Sequence, residues 1–319
     1  MKKLFLLVLA PLLLFAASII KPASTIDVDG NVIDSIVVGD LLYVTTDAGT
    51  LETYNWKSRK LLNKISYPKI HDFMGDLMLP KVFGVDVDPK TGAIVVQVQA
   101  EEGARVLYIY DAKGHRQTLL DEKSHIQMRE VRFVDSGHLL ISTMSNDLIL
   151  FDIAKKKILY REQISPSTFS DYQLNEDHTK VASSCESGDL FITDVMSGKR
   201  LKTYSGINKD NVFKVDYKNN RVLTCGKDKK AVLYNIDNDR QTVFPTDFFV
   251  YAGALNADAS MSAFQIDIDN DIALYDNQTK EMKYKLVGAS STLNNIIFID
   301  DKTLISSSDD NHILIWRIP

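Results

Sequence analysis

Seven short segments of one pattern recur along the chain at nearly constant spacing. Each segment alternates apolar residues and ends in an aromatic residue or threonine that is followed by a polar or charged residue. These end positions, the anchors of the repeat, are Tyr54, Tyr110, Phe151, Thr193, Tyr234, Tyr275 and Trp316. The successive intervals are 56, 41, 42, 41, 41 and 41 residues, which indicates one repeated structural unit.

The residues around each anchor predict four antiparallel strands per repeat. Residues 180–194 read as a hairpin, because two β-rich runs flank a turn of glutamate, serine, glycine and aspartate. A third strand is expected before the hairpin, as at 213–217, and a fourth after it, as at 282–286. Four strands in 41 residues match a propeller blade. The sequence therefore predicts an all-β fold, a seven-bladed β-propeller.

The two ends of the chain predict how the ring closes. Only three residues follow the last anchor, Trp316, so the last blade lacks its outer strand. The repeat phase places the missing strand at 19–25, which we expect to pair beside the C-terminal strand. Pro22 is compatible with this position, because an outer edge strand tolerates a missing N–H donor.

The first 18 residues have the pattern of a secretory signal peptide. Lys2 and Lys3 precede the apolar run 4–15, and Ala16-Ala17-Ser18 is a small-residue cleavage site. The run of 12 is short of the roughly 20 residues that span a bilayer. We expect a signal peptide at 1–18, a single propeller domain at 19–319, and a periplasmic, monomeric protein. No cysteine directly follows the small residues of the cleavage site, so a lipid anchor is not expected after cleavage.

Charge and the scarcity of reactive motifs favour a non-catalytic protein. The net charge is −5, which does not favour nucleic acid as a partner. The six histidines are scattered over turns, and no G-x-S-x-G elbow or haem-attachment motif is present. We therefore expect neither a cofactor nor a metal, and a protein as the partner.

The two cysteines are expected to be buried thiols. Cys185 and Cys225 lie eight and nine residues before their anchors, in equivalent strands of adjacent blades. This offset of one residue predicts that both side chains face the shared interface, or that both face away from it. Packed sheets lie roughly 10 Å apart, so two free thiols are favoured over a disulfide.

The one irregular interval, the first, points to candidate binding residues. About four of its 15 extra residues extend the turn at 99–105, and about eleven fall in 67–81. The second insertion is rich in apolar residues for a loop, so it either packs across a rim, the favoured interpretation, or meets a partner. Phe248 and Phe249 lie in an aromatic run between two blades, for which core packing is also favoured. The candidate partner-binding residues are His71, Phe73, Met74, Leu77, Phe248 and Phe249.

Two parts of the sequence have residue types found in metal sites, but a structural role is favoured for both. His71, Met74 and Met78 could form a soft copper(I) site, but a gap-filling role for the methionines is favoured. The alternating aspartates at 267, 269 and 271 have the spacing of a calcium loop. They lack its glycine and its final glutamate, so a polar hairpin turn is predicted there.

The repeats resemble those of WD-repeat propellers over nearly the whole chain. The likeness lies in the tail of the motif, with Ile315-Trp316-Arg317 and with Phe-Asp, Thr-Asp and Tyr-Asp at other anchors. No Gly-His pair opens a blade, so the buried Asp-His-Ser-Trp network of that family is expected to be absent or degenerate.

At finer grain, the chain resembles the NapL family, the periplasmic accessory proteins encoded with the nitrate reductase of ε-proteobacteria. The resemblance lies in the seven blades, the Lys-Lys signal, the missing lipid site and the Ile-Trp-Arg-Ile-Pro terminus. It implies a non-catalytic scaffold that supports the nitrate reductase system through protein–protein contacts. Two alternatives stay open: a general periplasmic assembly scaffold, and a haem-binding, tetrapyrrole-binding or enzymatic propeller of nitrogen-oxide metabolism, with His71 as the candidate ligand.

Overall fold

The computed structural model describes residues 18–319. The expected signal peptide lies outside these residues, except for Ser18. Numbered in chain order, the first twelve strands are β1 (Ser18–Ile20), β2 (Ser24–Asp27), β3 (Val32–Val38), β4 (Leu41–Thr46), β5 (Thr50–Asn55), β6 (Lys60–Ser66), β7 (Ile70–His71), β8 (Leu77–Met78), β9 (Val82–Val87), β10 (Ile94–Gln99), β11 (Arg105–Tyr110) and β12 (Arg116–Leu120).

The remaining strands follow in the same repeated order. They are β13 (Met128–Asp135), β14 (His138–Thr143), β15 (Asp147–Asp152), β16 (Lys157–Gln163), β17 (Phe169–Leu174), β18 (Lys180–Cys185), β19 (Leu190–Asp194), β20 (Arg200–Tyr204), β21 (Val212–Lys218), β22 (Arg221–Gly226), β23 (Lys230–Asn235), β24 (Gln241–Pro245), β25 (Gly253–Leu255), β26 (Met261–Gln265), β27 (Ile272–Asp276), β28 (Met282–Leu286), β29 (Leu293–Asp300), β30 (Thr303–Ser308) and β31 (His312–Arg317). Two short 3-10 helices occur, at Glu101–Gly103 and Glu122–Ser124.

The strands form seven blades arranged in a ring, so the predicted seven-bladed β-propeller is confirmed. Blades 1 to 5 are the four-stranded antiparallel sheets β3–β6, β9–β12, β13–β16, β17–β20 and β21–β24. Blade 6 contains β25–β28, and blade 7 contains β29–β31. The first strand of each blade is the innermost and lies against the first strand of the next blade, around a central channel.

Ring closure follows the prediction in outline but not in register. β2 pairs antiparallel with β31, with Ser24 opposite Ile315 and Asp27 opposite His312, and so supplies the outer strand of blade 7. The expected strand at 19–25 is therefore wrong by several residues. Ser18–Ile20 instead pairs in parallel with β28, as a fifth strand at the edge of blade 6.

The core is divided among the interfaces between blades. There are seven buried apolar clusters among the described residues, one at each interface between blades. This arrangement follows because both faces of every blade must be covered by a neighbouring blade. Trp316 and Leu293, for example, belong to the cluster between blades 6 and 7. Cys185 lies in the cluster of blades 3 and 4, and Cys225 in that of blades 5 and 6. Both thiols are free and buried. Neither lies at the interface between blades 4 and 5, so both face away from it, which is one of the two arrangements expected.

Blade 5 contains a polar chain of the degenerate kind expected from the sequence. Thr224 Oγ1 donates to Asn208 Oδ1 at 2.7 Å, and Asn208 Nδ2 donates to Asp228 Oδ1 at 3.1 Å. The hydroxyl of Tyr234 lies 3.4 Å from the same Asn208 oxygen. Asn208 thus lies at the centre of this hydrogen-bonded network, in the place of the histidine of the WD-repeat network.

Strand direction gives the ring two distinct faces. All inner strands begin at one face, which we call the entry face, and end at the other, the exit face. Because neighbouring strands are antiparallel, the connections between blades and the turns between second and third strands also lie at the entry face. Both insertions predicted from the first interval, 67–81 and 99–105, therefore lie on the entry face.

Candidate functional site

The insertion at 67–81 folds into a small hairpin above the entry face. Its strands are β7 and β8, with Ile70 opposite Met78 and His71 opposite Leu77. The carboxylate of Asp72 closes the turn, because its Oδ1 accepts from the backbone N–H groups of Met74 at 2.8 Å and Asp76 at 2.9 Å. The turn is thus ordered by its own hydrogen bonds.

The tip of this hairpin is apolar and exposed. Phe73 is 85% exposed, Met74 76% and Leu77 61%. The favoured interpretation, that the insertion packs across the rim, is wrong for these three residues. Only the base of the insertion packs, where Tyr67 is buried in the cluster between blades 1 and 2. Contiguous exposed apolar groups on a soluble surface mark an interaction site more often than single ones do.

His71 ties the hairpin to the neighbouring turn of blade 2. Its Nδ1 lies 3.2 Å from Glu101 Oε1, at the short 3-10 helix between β10 and β11. Since residues opposite each other in an antiparallel pair share a face, His71 and Met78 lie on opposite faces of the hairpin. They do not converge on the copper site considered from the sequence. No group of three or more His, Cys, Asp or Glu side chains within 18–319 is placed to hold a metal.

A groove lies beside the hairpin on the entry face. Its volume is about 650 Å³, and its walls are the insertion, the 3-10 turn of blade 2 and the connection between blades 2 and 3. Tyr67 and Tyr108 stack at 5.9 Å between ring centres along one wall, and the Tyr110 hydroxyl donates to that of Tyr67 at 3.0 Å. The groove is therefore built on ordered side chains.

Phe248 and Phe249 form a second aromatic group elsewhere on the entry face. They stack on each other at 4.9 Å, and Tyr251 stacks on Phe213 at 4.6 Å in the same group. The two phenylalanines are half-buried and belong to none of the seven core clusters, so the expected core role is wrong for them. Val250 between them and Tyr251 does enter the core of blades 5 and 6.

The six sequence-predicted residues therefore divide into two sites. His71, Phe73, Met74 and Leu77 lie together between blades 1 and 2, whereas Phe248 and Phe249 lie between blades 5 and 6. Half the ring separates the two groups. Of the two groups, the hairpin is the one whose apolar side chains are more than half exposed, whereas Phe248 and Phe249 are half-buried.

The central channel contains a set of residues that the sequence reasoning missed. Carboxylates on inner strands accept hydrogen bonds from backbone N–H groups of the inner strand in the next blade. The pairs are Asp34 with Val85 at 3.3 Å, Asp86 with Phe133 at 2.7 Å, Glu130 with Tyr172 at 3.4 Å, Asp171 with Val215 at 2.6 Å and Asp216 with Leu255 at 2.7 Å. We call these five carboxylates the channel belt; they join blades 1 to 6.

Two cations balance part of the belt. Arg132 donates to Asp34 at 3.2 Å and to the Val85 carbonyl at 2.8 Å, and its other nitrogen lies 2.9 Å from Glu130. Lys214 lies 3.5 Å from Asp171. Burial raises the pKa of Asp86 to about 6, although the charge of Arg132 and two backbone donors act against that rise. Burial also raises the pKa of Asp171.

A cavity of about 800 Å³ lies in the channel on the side of the exit face, and the belt residues Asp86 and Asp216 line part of it. Charged groups of both signs line it, with Arg132 and Lys214 at its upper end and Glu176, Asp177 and His178 at its lower end. The His178 ring nitrogen is hydrogen-bonded to the Val134 carbonyl at 2.9 Å. Glu176 accepts from the backbone N–H of Asn219, and Asp177 accepts from the Thr179 hydroxyl, so the neighbouring turns hold these two carboxylates.

The aspartates weighed as a calcium loop form a turn between β26 and β27. Lys285 lies 2.7 Å from Asp271 and 3.1 Å from Asp267, so a lysine ammonium occupies the position beside these carboxylates. The prediction of a polar hairpin turn is confirmed.

Within residues 18–319 no helix combines the length and apolar character that crossing a bilayer requires. No protein-family model matches the chain, and no curated protein sequence matches it. The structure shows a seven-bladed β-propeller, which is consistent with a divergent WD-repeat-like propeller.

Proposed function

We propose that this chain is a non-catalytic scaffold that docks a partner protein on the entry face, with the hairpin tip as the anchor. The observation that carries the proposal is the exposure of Phe73, Met74 and Leu77 on an ordered hairpin. Leaving such side chains in water forgoes about 1.5–3 kcal/mol of burial for each one, and binding recovers part of it.

The partner to test first comes from the resemblance to the NapL family. That resemblance supports an exported protein that acts in the periplasm on the nitrate reductase system, through contacts and without a cofactor. A rigid ring suits this role, because its seven interfaces hold the entry face in one shape. A docking site held in place loses little conformational entropy on binding.

The tetrapyrrole-binding or enzymatic alternative takes second place. It depends on His71, whose side chain is exposed and pairs with Glu101 at 3.2 Å. A haem ligand works best inside an apolar slot that excludes water, and the hairpin offers none around this imidazole. A haem absorbance band in protein purified from its native host would reverse this ranking.

A capture experiment tests the docking proposal. The immobilised chain is incubated with purified components of the periplasmic nitrate reductase, alongside the variant F73S/M74S/L77S. We expect the variant to capture at least about tenfold less of the partner, because truncating a hot-spot side chain costs about 2 kcal/mol or more. The matched control is L62S/L159S/L201S, which removes three exposed leucines from the outer strands of blades 1, 3 and 4.

The outcomes separate the parts of the proposal. Both variants should keep the circular dichroism spectrum and the melting temperature of the parent. Equal capture by the tip variant and the parent would show that the hairpin is not the contact surface. Failure of the parent to capture any nitrate reductase component would reject the partner assignment.

A further inference from the structure

The groove beside the hairpin has features of a site for an extended segment of a partner. It runs between structural elements that belong to three different parts of the ring, and the hairpin strand β7 lies against the 3-10 turn that forms its rim. The hairpin that carries the exposed tip therefore also forms part of one groove wall, through Ile70. A segment anchored at the tip would pass along the groove.

The floor of the groove is apolar and preformed. Val98, Val106 and Ile126 form part of it, and all three are buried in the ring below. Pro68 and Pro80 stand at the ends of the insertion. Proline rings fix the backbone there, so the walls need little ordering when a ligand enters.

The rim of the groove is predominantly acidic. Glu101 and Glu102 lie on one side, and Asp121 and Glu122 lie on the other. Glu102 and Glu122 are exposed, and neither has an ion-pair partner within residues 18–319. Their charges are thus available to a ligand.

The basic residues of the groove do not neutralise the negative charge of its rim. The guanidinium of Arg105 stacks 3.8 Å above the Phe83 ring and donates to the Met128 carbonyl at 2.6 Å, so its charge is directed into the wall. The other basic residues in the lining are Lys123 and His125, and the four carboxylates outnumber the lysine and arginine of the groove. The local field therefore favours a positively charged ligand.

We infer that this groove binds a partner segment whose apolar side chains are flanked by lysine or arginine. The apolar side chains contact the floor and the hairpin tip, and the basic side chains pair with Glu102 and Glu122 at the rim. This inference rests on the proposed docking function and adds the chemistry of the segment that docks.

Short fluorescein-labelled peptides test the inference without the native partner. One peptide is built from leucine and lysine, a second from leucine and glutamate, and a third from serine and lysine. Fluorescence anisotropy should show the leucine–lysine peptide binding about tenfold more tightly than either of the others, since it alone matches both floor and rim. Binding should weaken at about 1 M salt, where charges are screened within about 3 Å.

Charge-reversal variants locate the binding. E102K/E122K should weaken binding of the leucine–lysine peptide about tenfold. The matched control E162K/E186K changes the net charge equally at exposed glutamates of blades 3 and 4, and it should leave binding unchanged. Equal loss in both variants, or binding of the leucine–glutamate peptide to the parent, would overturn the inference.

The two proposals fail in different ways. If F73S/M74S/L77S loses nitrate reductase capture while E102K/E122K retains full peptide binding, the hairpin docks a partner but the groove inference is wrong. If the parent binds the leucine–lysine peptide through the rim but captures no nitrate reductase component, the groove inference stands and the partner assignment fails.

Discussion

The hairpin tip and the channel belt are opposite departures from the ordinary rule of apolar inside and charged outside. The tip places Phe73, Met74 and Leu77 in water. The belt places five carboxylates and two cations inside the ring, where most of them are hydrogen-bonded or ion-paired with neighbouring blades. The belt has its partners within the molecule, whereas the tip has none there. This difference supports a role of the belt in stability, and it is the basis of our proposal that the tip binds a partner.

The comparison is tested most strongly by removing the central cation of the belt. Arg132→Met leaves Asp34 and Glu130 without their cation in the channel, and the expected loss in the free energy of unfolding is about 3–5 kcal/mol. Urea denaturation measures it. The matched control Arg221→Met breaks a half-exposed pair with Asp237 and should cost less than about 1 kcal/mol. Similar losses in the two variants would show that the belt contributes no more than surface pairs.

Substitutions in the aromatic group between blades 5 and 6 should have an effect on stability that is intermediate between those in the belt and those at the tip. Phe248 and Phe249 are half-buried and stack at 4.9 Å, so F248A/F249A should lower the free energy of unfolding by about 1–3 kcal/mol. Phe73→Ala, at the tip, should change it by no more than about 0.5 kcal/mol. If Phe73→Ala were the more destabilising change, the tip would be a structural element and the comparison would fail.

The pH dependence of stability gives a smaller effect that also belongs to the belt. Burial raises the pKa of Asp86 to about 6 from an ordinary value of 3.8, so the folded state holds this proton more tightly than the unfolded state. Its contribution is complete below about pH 4 and is lost as the pH rises through 6. Carboxyls with a lowered pKa, such as Asp147, are ionised in both states above about pH 5 and leave this window unchanged.

We therefore expect the free energy of unfolding to be higher at pH 5 than at pH 8 by on the order of 1 kcal/mol. Urea denaturation at the two pH values measures this difference. Asp86→Asn removes one titrating group and keeps an oxygen for the Phe133 N–H, so it should reduce this slope. Burial also raises the pKa of Asp171, which contributes a slope of the same sign and remains in the variant. A parent protein whose stability rises between pH 5 and pH 8 would contradict the account of Asp86.

The blades were predictable because their period repeats. Each blade supplies the same pattern seven times, so errors at single positions do not change the fold. Ring closure was placed less well. The partner of Ser18–Ile20 is β28, which is distant in sequence, and no local pattern distinguishes this edge from the edge of blade 7.

The site was predictable in position but not in exposure. The irregular interval identified the insertion, yet an apolar segment such as Phe73-Met74 has the composition of core. Its exposure depends on the Asp72 turn, which lifts the tip away from the ring. The belt was missed because its carboxylates occupy slightly different offsets in each inner strand. Aspartate or glutamate in five successive inner strands was the available signal.

The most direct test of the central claim compares the hairpin tip with the blade 5 and 6 aromatic group in one measurement. A photo-crosslinking phenylalanine analogue is placed at position 73 or at position 248, and each chain is irradiated with the nitrate reductase components. Our account predicts a cross-linked adduct with a partner protein from position 73 and little from position 248. An adduct from position 248 alone, or from neither position, would contradict the claim that the hairpin tip is the docking surface.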